Sequence, residues 1–352
     1  MTQKSQFEKE EIDIYVKIFN KVFSKNTSNE TFYYKHFGNP YKVATPLFND
    51  KIKDEVAGIN AFMGAKFLID QKEMFAAQSC DSAVLQEYRG KGVFSRIISS
   101  AEAQFEKDQL DFLFGFPNSK SYPGFIKLGW SHVGDFYRAV LPLDSCKFFQ
   151  RKFGKKLPSF IGKLANLHFL KKLKSYSKKN DKIDITTFKK CPFTEEDFNI
   201  INNTKAIMTK RSSDYYQWKV DNNPSKDFRY IVARDGSNLI GFLIYETLSD
   251  KSLDVVDWLC FSNDFNTQKI VLAKMFQQLI DKGISININL VNKTNGEMKL
   301  LQSMGFLDTS NKLMKQKPLP LVIKTFNPEA DKKLSLCENW ICRFLDTDVI
   351  IL

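Results

Sequence analysis

The hydrophobic and polar positions of the first 143 residues repeat with two different periods. Between residues 11 and 23, Ile12, Tyr15, Ile18 and Phe19 recur at helical spacing, which predicts an amphipathic helix. Short apolar runs bounded by polar turns predict strands. The elements predicted after the first helix are a strand, a turn and a strand over 56–69, a strand over 74–84, a helix over 94–105, a strand over 110–116, a helix over 119–128 and a strand over 132–143.

The same alternation of strands and helices returns after residue 183. Asp235-Gly236 separates two apolar runs, 228–232 and 238–248, and predicts a hairpin. The elements predicted after the hairpin are a strand over 253–261, a helix over 268–282, a strand over 284–291 and a helix over 295–304. Strands and helices alternate in both halves, so the pattern predicts an α/β (α+β) fold.

The two halves resemble each other at corresponding positions. Tyr34-Lys35 precedes one Asn-Pro pair and Trp218-Lys219 precedes another, while Asp81 falls near the position of Asp257. A chain of 352 residues is also long enough for two domains of about 150 residues each. We therefore interpret the chain as two copies of one fold. The predicted division is 1–143 for the first domain, 144–182 for a connecting segment and 183–352 for the second domain.

The net charge of +12 is concentrated in the connecting segment. Residues 146–182 hold twelve Lys or Arg and one acid, Asp181, so this stretch carries +11. The charge is therefore not assigned to a nucleic-acid-binding face of either domain. Apolar residues interrupt the lysines, which is typical of an amphipathic helix on anionic headgroups and also of a helix that covers the space between two domains. The second interpretation is favoured.

Other features exclude several classes of protein. Six cysteines without a CxxC pair and only three histidines give no zinc pattern, so we predict no metal. The polar start does not resemble a signal peptide, and no apolar run has the length of a membrane span. The sequence therefore predicts a cytoplasmic protein without stable membrane insertion and without a nucleic-acid partner.

A glycine-rich basic loop, Arg89-Gly90-Lys91-Gly92, lies between a predicted strand and a predicted helix. Backbone N–H groups at the start of a helix bind anions, and glycines allow a phosphate to approach the backbone closely. Arg89 and Lys91 add positive charge. The spacing does not fit the P-loop or the Rossmann pattern. The loop is therefore a candidate pyrophosphate site.

This loop, followed by Asn118 and by a helix that ends in Leu128-Gly129-Trp130, resembles the GNAT acyltransferase superfamily. The resemblance implies two GNAT-like domains, each with a mixed, mostly antiparallel twisted sheet and helices on both faces, and an acyl-CoA-dependent N-acyltransferase activity by direct transfer in a ternary complex. It implies that acyl-CoA, as acetyl-CoA or a 3-hydroxyacyl-CoA, is bound by Val84, Leu85, Arg89, Gly90, Lys91, Gly92, Val93, Phe94, Asn118 and Ser121.

The sequence departs from the family pattern at two positions. Phe94 stands where the family has Gly or Ala, and Phe125 stands where the family often has the Tyr that protonates the leaving thiolate. Tyr122 is a possible replacement acid, although a thiol of pKa near 8.5 also leaves without one. Asp81 and Asp257 are the candidate bases for the amine, because an inward carboxylate in a strand is unusual without a partner or a task.

The second half has no equivalent of the basic loop, so we interpret it as a degenerate copy that forms a wall of the acceptor site. Its C-terminal residues, from Glu338 to Asp348, resemble tandem-GNAT proteins of bacterial surface polysaccharide pathways, including O-antigen and lipopolysaccharide biosynthesis. That resemblance implies a dTDP- or UDP-linked amino sugar as acceptor. The residues predicted to bind it are Tyr34, Lys35, Arg211, Trp218, Lys219 and Trp258.

Two alternatives remain open at this point. One is a tandem-GNAT aminoacyl transferase that acts on peptidoglycan precursors. The other is a non-enzymatic protein that binds membranes or nucleic acid through the connecting segment.

Overall fold

The computed structural model describes residues 3–154, 156, 158–180, 182–312 and 314–351, without the side chains of residues 3–8, 328 and 329. Two helices come first. The first has the amphipathic spacing noted above, and the second begins after Ser28, whose side chain accepts a hydrogen bond from the N–H of Thr31. The elements of the first half are α1 (Gln3–Phe23), α2 (Asn29–Phe37), β1 (Leu47–Ile52), β2 (Glu55–Ile69), β3 (Lys72–Val84), α3 (Val93–Lys107), β4 (Phe112–Gly115), α4 (Tyr122–Lys127) and β5 (Ser131–Pro142).

The connecting segment folds into two helices, α5 (Ser145–Phe153) and α6 (Ser159–Ser177). The chain ends in short 3-10 turns over 337–351, which we name the C-terminal segment. The elements between them are β6 (Ile183–Phe188), α7 (Glu195–Asn202), β7 (Met208–Thr209), α8 (Ser213–Tyr216), a π-helical turn (Gln217–Asp221), β8 (Phe228–Asp235), β9 (Asn238–Thr247), β10 (Ser252–Cys260), α9 (Phe265–Gln277), β11 (Ser285–Asn292), α10 (Glu297–Ser303), β12 (Leu307–Asp308), β13 (Leu319–Thr325) and α11 (Pro328–Leu334).

The thirteen strands found in the described ranges form one mixed sheet. Its order is β1-β2-β3-β4-β13-β5-β11-β10-β9-β8-β6, with β7 paired to β2 and β12 paired to β5. Most neighbours are antiparallel, whereas β3 with β4 and β10 with β11 run parallel. The predicted α/β class with a mostly antiparallel sheet is confirmed.

Strand β13 belongs to the second half of the sequence but lies in the first half of the sheet. It pairs with β4 on one side and with the first part of β5 on the other. The second part of β5, from Phe136 to Pro142, pairs instead with β11. Strand β5 therefore pairs with strands of both halves, and β13 of the second half completes the sheet of the first half. The domain boundaries proposed from the sequence stay a prediction, and this pairing crosses them.

The helices of the first half cover both faces of the sheet. Along β2 the side chains alternate, so Ala61 packs with α1 while Phe62 packs with α3. The α1 face also receives the C-terminal segment through Leu345 and Ile350. No helix in the described ranges combines the length and the apolarity that a membrane span requires.

Several predicted elements differ in extent from the observed ones; α1, for example, begins at Gln3 and not near residue 11. Three further differences are at β2, α4 and α9. Residues 56–69 form one strand without a turn, in which Gly64 lies so close to Tyr41 O that a Cβ would come within 1.8 Å of it. Asn118 Oδ1 accepts from the N–H of Lys120 and of Ser121, which delays the start of α4. Helix α9 begins at Phe265 because the Asp264 side chain caps it, and it ends at Gln277.

Candidate functional site

Strands β3 and β4 separate near the middle of the first half. Their parallel ladder ends at Gln78 and Phe114, and beyond it the two strands diverge. The opening is a cleft of about 360 Å³, lined by β3, the β4–α4 loop, the end of α1 and the C-terminal segment. We name it the first cleft. The lining residues that matter for chemistry are Asp81, Asn118, Ser121, Phe125, Asp348 and Val349.

A β-bulge shapes the β3 side of the first cleft. Asp81 has a φ of +52°, in the left-handed region that non-glycine residues rarely adopt, and the register with β2 shifts opposite Asn60. The Asn60 amide stabilises the bulge, because it donates to Ser79 Oγ at 3.1 Å and accepts from the Ser82 hydroxyl. The bulge turns the Asp81 side chain into a buried cluster of charges.

Asp81 is fully engaged inside this cluster. Lys35 donates to both Asp81 oxygens at 2.8 Å, and His36 Nε2 lies 3.0 Å from Oδ2. Burial disfavours the ionised carboxylate, but the Lys35 ammonium and His36 hold the pKa of Asp81 at about 2. A carboxylate with so low a pKa is a weak base at neutral pH, so its predicted catalytic role stays a prediction that this geometry does not favour.

The same cluster brings three metal-ligand types together. Ligand atoms of His36, Cys80 and Asp81 lie within 4.8 Å of one another. The Lys35 ammonium already occupies both Asp81 oxygens, so a cation would have to displace a buried ion pair. We therefore interpret the cluster as a structural ion-pair network.

Asp348 is the second carboxylate that lines the first cleft, and it is more exposed than Asp81. Its Oδ1 accepts from Gln78 Nε2 at 2.9 Å, its Oδ2 lies 3.3 Å from Lys35 Nζ, and its side chain is 18% exposed. It stands 313 residues from Lys35 in the sequence. Nothing in the local pattern around Asp348 indicated this position, and sequence reasoning missed it.

Lys219 lies beside the same network and is buried. Its ammonium donates to Thr347 O at 2.8 Å and sits 4.8 Å from the centre of the Trp218 ring. Burial lowers the pKa of Lys219 to about 7, although Asp346 and Asp348 act in the opposite direction. The predicted contact of Lys219 with a substrate diphosphate stays a prediction, and its buried position does not favour that contact.

The depressed pKa of Lys219 predicts a pH-dependent stability. Between pH 7 and about pH 10 the unfolded chain holds a proton on this amine that the folded chain has released. The free energy of unfolding should therefore rise with pH over this window, by up to about 1.4 kcal/mol per pH unit from this one group. Urea unfolding at pH 7 and pH 9 should show a steeper rise for the wild type than for Lys219→Met. Parallel slopes for the two proteins would rule out the shift.

The basic loop lies where the predicted strand–loop–helix arrangement placed it. Gly90 and Gly92 have φ values of +76° and +75°, and no side chain caps α3, whose first turn contains no acid. The N–H groups of a first helical turn have no partner within the helix. Arg89, Lys91 and Gly92 are exposed. The loop therefore offers uncapped backbone donors and two cations to an anion.

Phe94, the position that departs from the family pattern, packs onto α4. A Cβ on Gly124 would come within 2.8 Å of the Phe94 ring, and that ring makes an edge contact with Phe125 at 5.1 Å. The missing side chain at Gly124 thus makes room for the large side chain at Phe94. Its aromatic ring lies against α4 and leaves the backbone of the loop uncovered.

The second half contains a corresponding opening between β10 and β11, which we name the second cleft. Its volume is about 310 Å³. Arg343 of the C-terminal segment reaches into it, donates to Trp258 O at 2.8 Å and to Glu297 at 2.7 Å, and stacks 4.3 Å from the Trp258 ring centre. The carboxylate of Asp264 caps the following helix. In the second half, the Arg343 guanidinium thus fills part of the cleft and the Asp264 carboxylate binds an N–H group at the start of α9. In the first half, the N–H groups at the start of α3 have no side-chain cap.

The remaining predicted substrate residues stabilise the contact between the halves. Arg211 donates to Asp257 at 2.9 Å and to Asp346 at 2.6 Å, and all three side chains are at most 5% exposed. Tyr34 and Trp218 bond reciprocally, each side chain donating to the backbone carbonyl of the other. Asp257 as a base and these residues as substrate ligands stay predictions, although their buried, paired positions do not favour those roles.

A larger groove adjoins the first cleft at Pro117 and Asn118. It has a volume of about 720 Å³ and is lined by α4, the start of β5 and the residues before β13. Tyr122 lines this groove, where its ring meets His132 at 5.8 Å, and it does not line the first cleft. Lys317 supplies a cation to the groove. The predicted role of Tyr122 as acid stays a prediction.

The comparison with known folds agrees with this architecture. A protein from Enterococcus faecalis described as a probable N-acyltransferase is 14% identical, with a TM-score of 0.62 over 91% of this chain and 71% of that chain. A GCN5-related N-acetyltransferase from Anabaena variabilis is 12% identical, with a TM-score of 0.63 over 90% and 71%. One from Kribbella flavida is 13% identical, with a TM-score of 0.60 over 91% and 69%. These similarities show a shared fold.

The sequence itself matches one family model. Residues 5–133, from α1 to the start of β5, match the acetyltransferase (GNAT) domain, and this range contains the basic loop and most of the first cleft. Among curated proteins, no sequence matches the chain significantly. The family match confirms the predicted enzyme class, an acyl-CoA-dependent N-acyltransferase.

Proposed function

We propose that the protein transfers an acetyl or short hydroxyacyl group from acyl-CoA to the amine of a nucleotide-linked amino sugar. The observation that carries the proposal is the first cleft, in which the carboxylate of Asp348 lies at the gap between β3 and β4. The uncapped start of α3 follows the end of β3 after a short loop. The pyrophosphate would bind the loop at 89–94. The pantetheine arm would pass Val84 and Leu85 and reach Asn118 and Ser121.

The reaction needs an amine without its proton at the thioester carbon. A carboxylate in the cleft, or a water that it holds, accepts the proton while the C–N bond forms and the C–S bond breaks, and the sulfur leaves as thiolate. Asp348 is 18% exposed and lies 3.3 Å from Lys35 Nζ, whereas Asp81 is 2% exposed and is bound at 2.8 Å by the same ammonium. Asp348 is therefore the more accessible of the two carboxylates. The bulge at Asp81 and Ser82 would supply a backbone N–H to the developing oxyanion.

Asp348→Asn tests the assignment of the base. It should lower kcat by about 100-fold and leave the affinity for CoA unchanged, because loss of a general base affects proton transfer and not cofactor binding. Turnover within about twofold of the wild type would show that Asp348 is not the base.

The acceptor proposal rests on the groove beside Asn118. Its volume suits a nucleotide, the rings of Tyr122 and His132 can stack on a base, and Lys317 can pair with a diphosphate. These residues replace the buried Lys35, Arg211 and Lys219 as the candidate substrate contacts.

The test combines an acceptor screen with one variant. Acetyl-CoA is incubated with dTDP- and UDP-linked amino sugars and with unlinked amines, and release of free thiol is followed. Lys317→Ala should raise KM for the nucleotide-linked acceptor about tenfold and leave KM for acetyl-CoA unchanged, as expected for one lost charge-assisted contact. If only unlinked amines react, the acceptor class is wrong. If KM for acetyl-CoA rises instead, the groove holds the adenosine of the cofactor.

A further inference from the structure

Helix α6 carries large apolar side chains on its outer side. Phe160 is 66% exposed, Leu164 63% and Leu167 66%, and Ile161 beside them is 41% exposed. Three such side chains side by side are unusual on the surface of a protein that has no partner there. We name Phe160, Leu164 and Leu167 the apolar stripe.

The apolar stripe continues as a line of lysines. Phe160, Leu164 and Leu167 are followed at the same alternating spacing of four and three residues by Lys171, Lys174 and Lys178. This spacing keeps all six side chains near one face of a helix. The lysines are exposed as well. We name Lys171, Lys174 and Lys178 the basic stripe.

The opposite side of α6 fixes its orientation on the protein. Leu170 and Leu173 are buried against the core that includes α9. A Cβ on Gly162 would come within 2.0 Å of Cys146 Sγ, and a Cβ on Gly305 would come within 2.4 Å of Phe169 O. The helix therefore does cover the core, as favoured from the sequence, but the apolar stripe takes no part in that packing and faces outward.

We propose that the outer face of α6 docks the protein on an anionic lipid surface. Apolar side chains that enter the acyl boundary beside lysines that meet the headgroups are the two components of interfacial binding by an amphipathic helix. The sequence from 145 to 180 contains no Asp or Glu, so nothing within α5 or α6 opposes the attraction. At 19 residues, with lysines along its outer line, α6 lies along a surface and does not cross it.

The apolar stripe distinguishes a lipid surface from a nucleic acid. Nucleic-acid backbones are bound by cations and polar donors, and three exposed aliphatic or aromatic side chains in line add nothing to that contact. On a membrane each buried apolar side chain adds to the partition coefficient. The basic stripe alone could bind a nucleic acid or an anionic membrane, whereas the apolar stripe and the basic stripe together favour the membrane.

Co-sedimentation of the full chain with lipid vesicles tests the proposal. Vesicles of phosphatidylethanolamine and phosphatidylglycerol should bind the protein at least about tenfold better than phosphatidylcholine vesicles, because each lysine near an anionic surface contributes about fivefold. A variant with Lys171, Lys174 and Lys178 changed to Gln should lose about 100-fold in the partition coefficient. A variant with Phe160, Leu164 and Leu167 changed to Ser should lose about tenfold or more.

Two control variants test whether removing charge or apolar surface anywhere on the protein has the same effect on vesicle binding. Changing the exposed Lys9, Lys17 and Lys42 to Gln removes the same charge from the first half and should leave the partition within about twofold. Changing Ile14 and Leu336, which are 40% and 46% exposed, to Ser removes apolar surface outside α6 and should likewise leave the partition within about twofold. CoA binding, measured in every variant, should be unchanged and shows that the protein is folded.

Three results would overturn the proposal. The wild type does not bind anionic vesicles, the Lys9, Lys17 and Lys42 control loses as much binding as the basic-stripe variant, or the apolar-stripe variant binds as well as the wild type. In the last case tight binding of duplex DNA by the same protein would identify a nucleic acid as the partner. Failure of vesicle binding with intact acyl transfer leaves the proposed enzymatic function standing.

Discussion

Replacing Gly92 with Asp is expected to weaken CoA binding about 1000-fold. The new carboxylate lies at the start of α3, where it competes for the N–H groups that the pyrophosphate would use and repels its charge. Two charge-assisted hydrogen bonds, each about 1.5–3 kcal/mol, account for a loss of this size. Calorimetric titration with CoA measures the effect.

Gly236→Asp is the matched control for this variant. Gly236 also has a positive φ, +59°, and no atom lies within 4 Å of a Cβ placed there, but it belongs to the hairpin between β8 and β9. The control introduces the same residue and the same backbone strain away from the loop, so CoA affinity should stay within about twofold of the wild type. Equal affinities for both variants would remove the loop from the CoA site.

Replacing Asp346 with Asn is expected to lower the free energy of unfolding by about 3–5 kcal/mol. Asp346 accepts from Arg211, from the Tyr215 hydroxyl and from the backbone N–H of Arg343, and it is buried. Without its charge the buried guanidinium keeps one carboxylate, Asp257, and an unbalanced buried charge is costly. The C-terminal segment should also be held less firmly between the two halves.

Urea unfolding of Asp346→Asn and Asp227→Asn measures this effect against a control. Asp227 pairs with Arg229 at the surface, where its side chain is 80% exposed, so that pair should contribute less than about 1 kcal/mol. A difference between the two variants of under about 1 kcal/mol would show that the buried network does not stabilise the fold as the geometry implies.

The parts of the site that the sequence predicted are local. The loop at 89–94 was predicted because glycines between a strand and an amphipathic helix specify the backbone within a few residues. Phe94 was recognised as a departure, but its reason is a contact with Gly124, thirty positions away in the chain. A pattern of apolar residues shows which side chains are buried and does not show what they touch.

The parts that the sequence did not predict depend on long-range pairing. β13 is a short apolar strand whose central residues, Leu321 to Ile323, are all buried, and such a run does not specify which strands it pairs with. Its insertion between β4 and β5 therefore left no signal in the sequence. The buried cations were predicted as substrate ligands because a lysine or arginine near aromatics resembles a binding site. Their partners, Asp346 and Asp348, lie 135 residues from Arg211 and 313 from Lys35, in a segment whose course the local pattern could not give.

The number of CoA molecules bound per chain distinguishes one CoA-binding half from two. In the first half the cleft is open and no side chain caps α3, whereas in the second half Arg343 reaches into the cleft and Asp264 caps α9. Calorimetric titration of the full chain with acetyl-CoA should therefore show one site per chain. Two sites of similar affinity would show that the second half also binds CoA, and the absence of any site would show that the loop at 89–94 does not bind it.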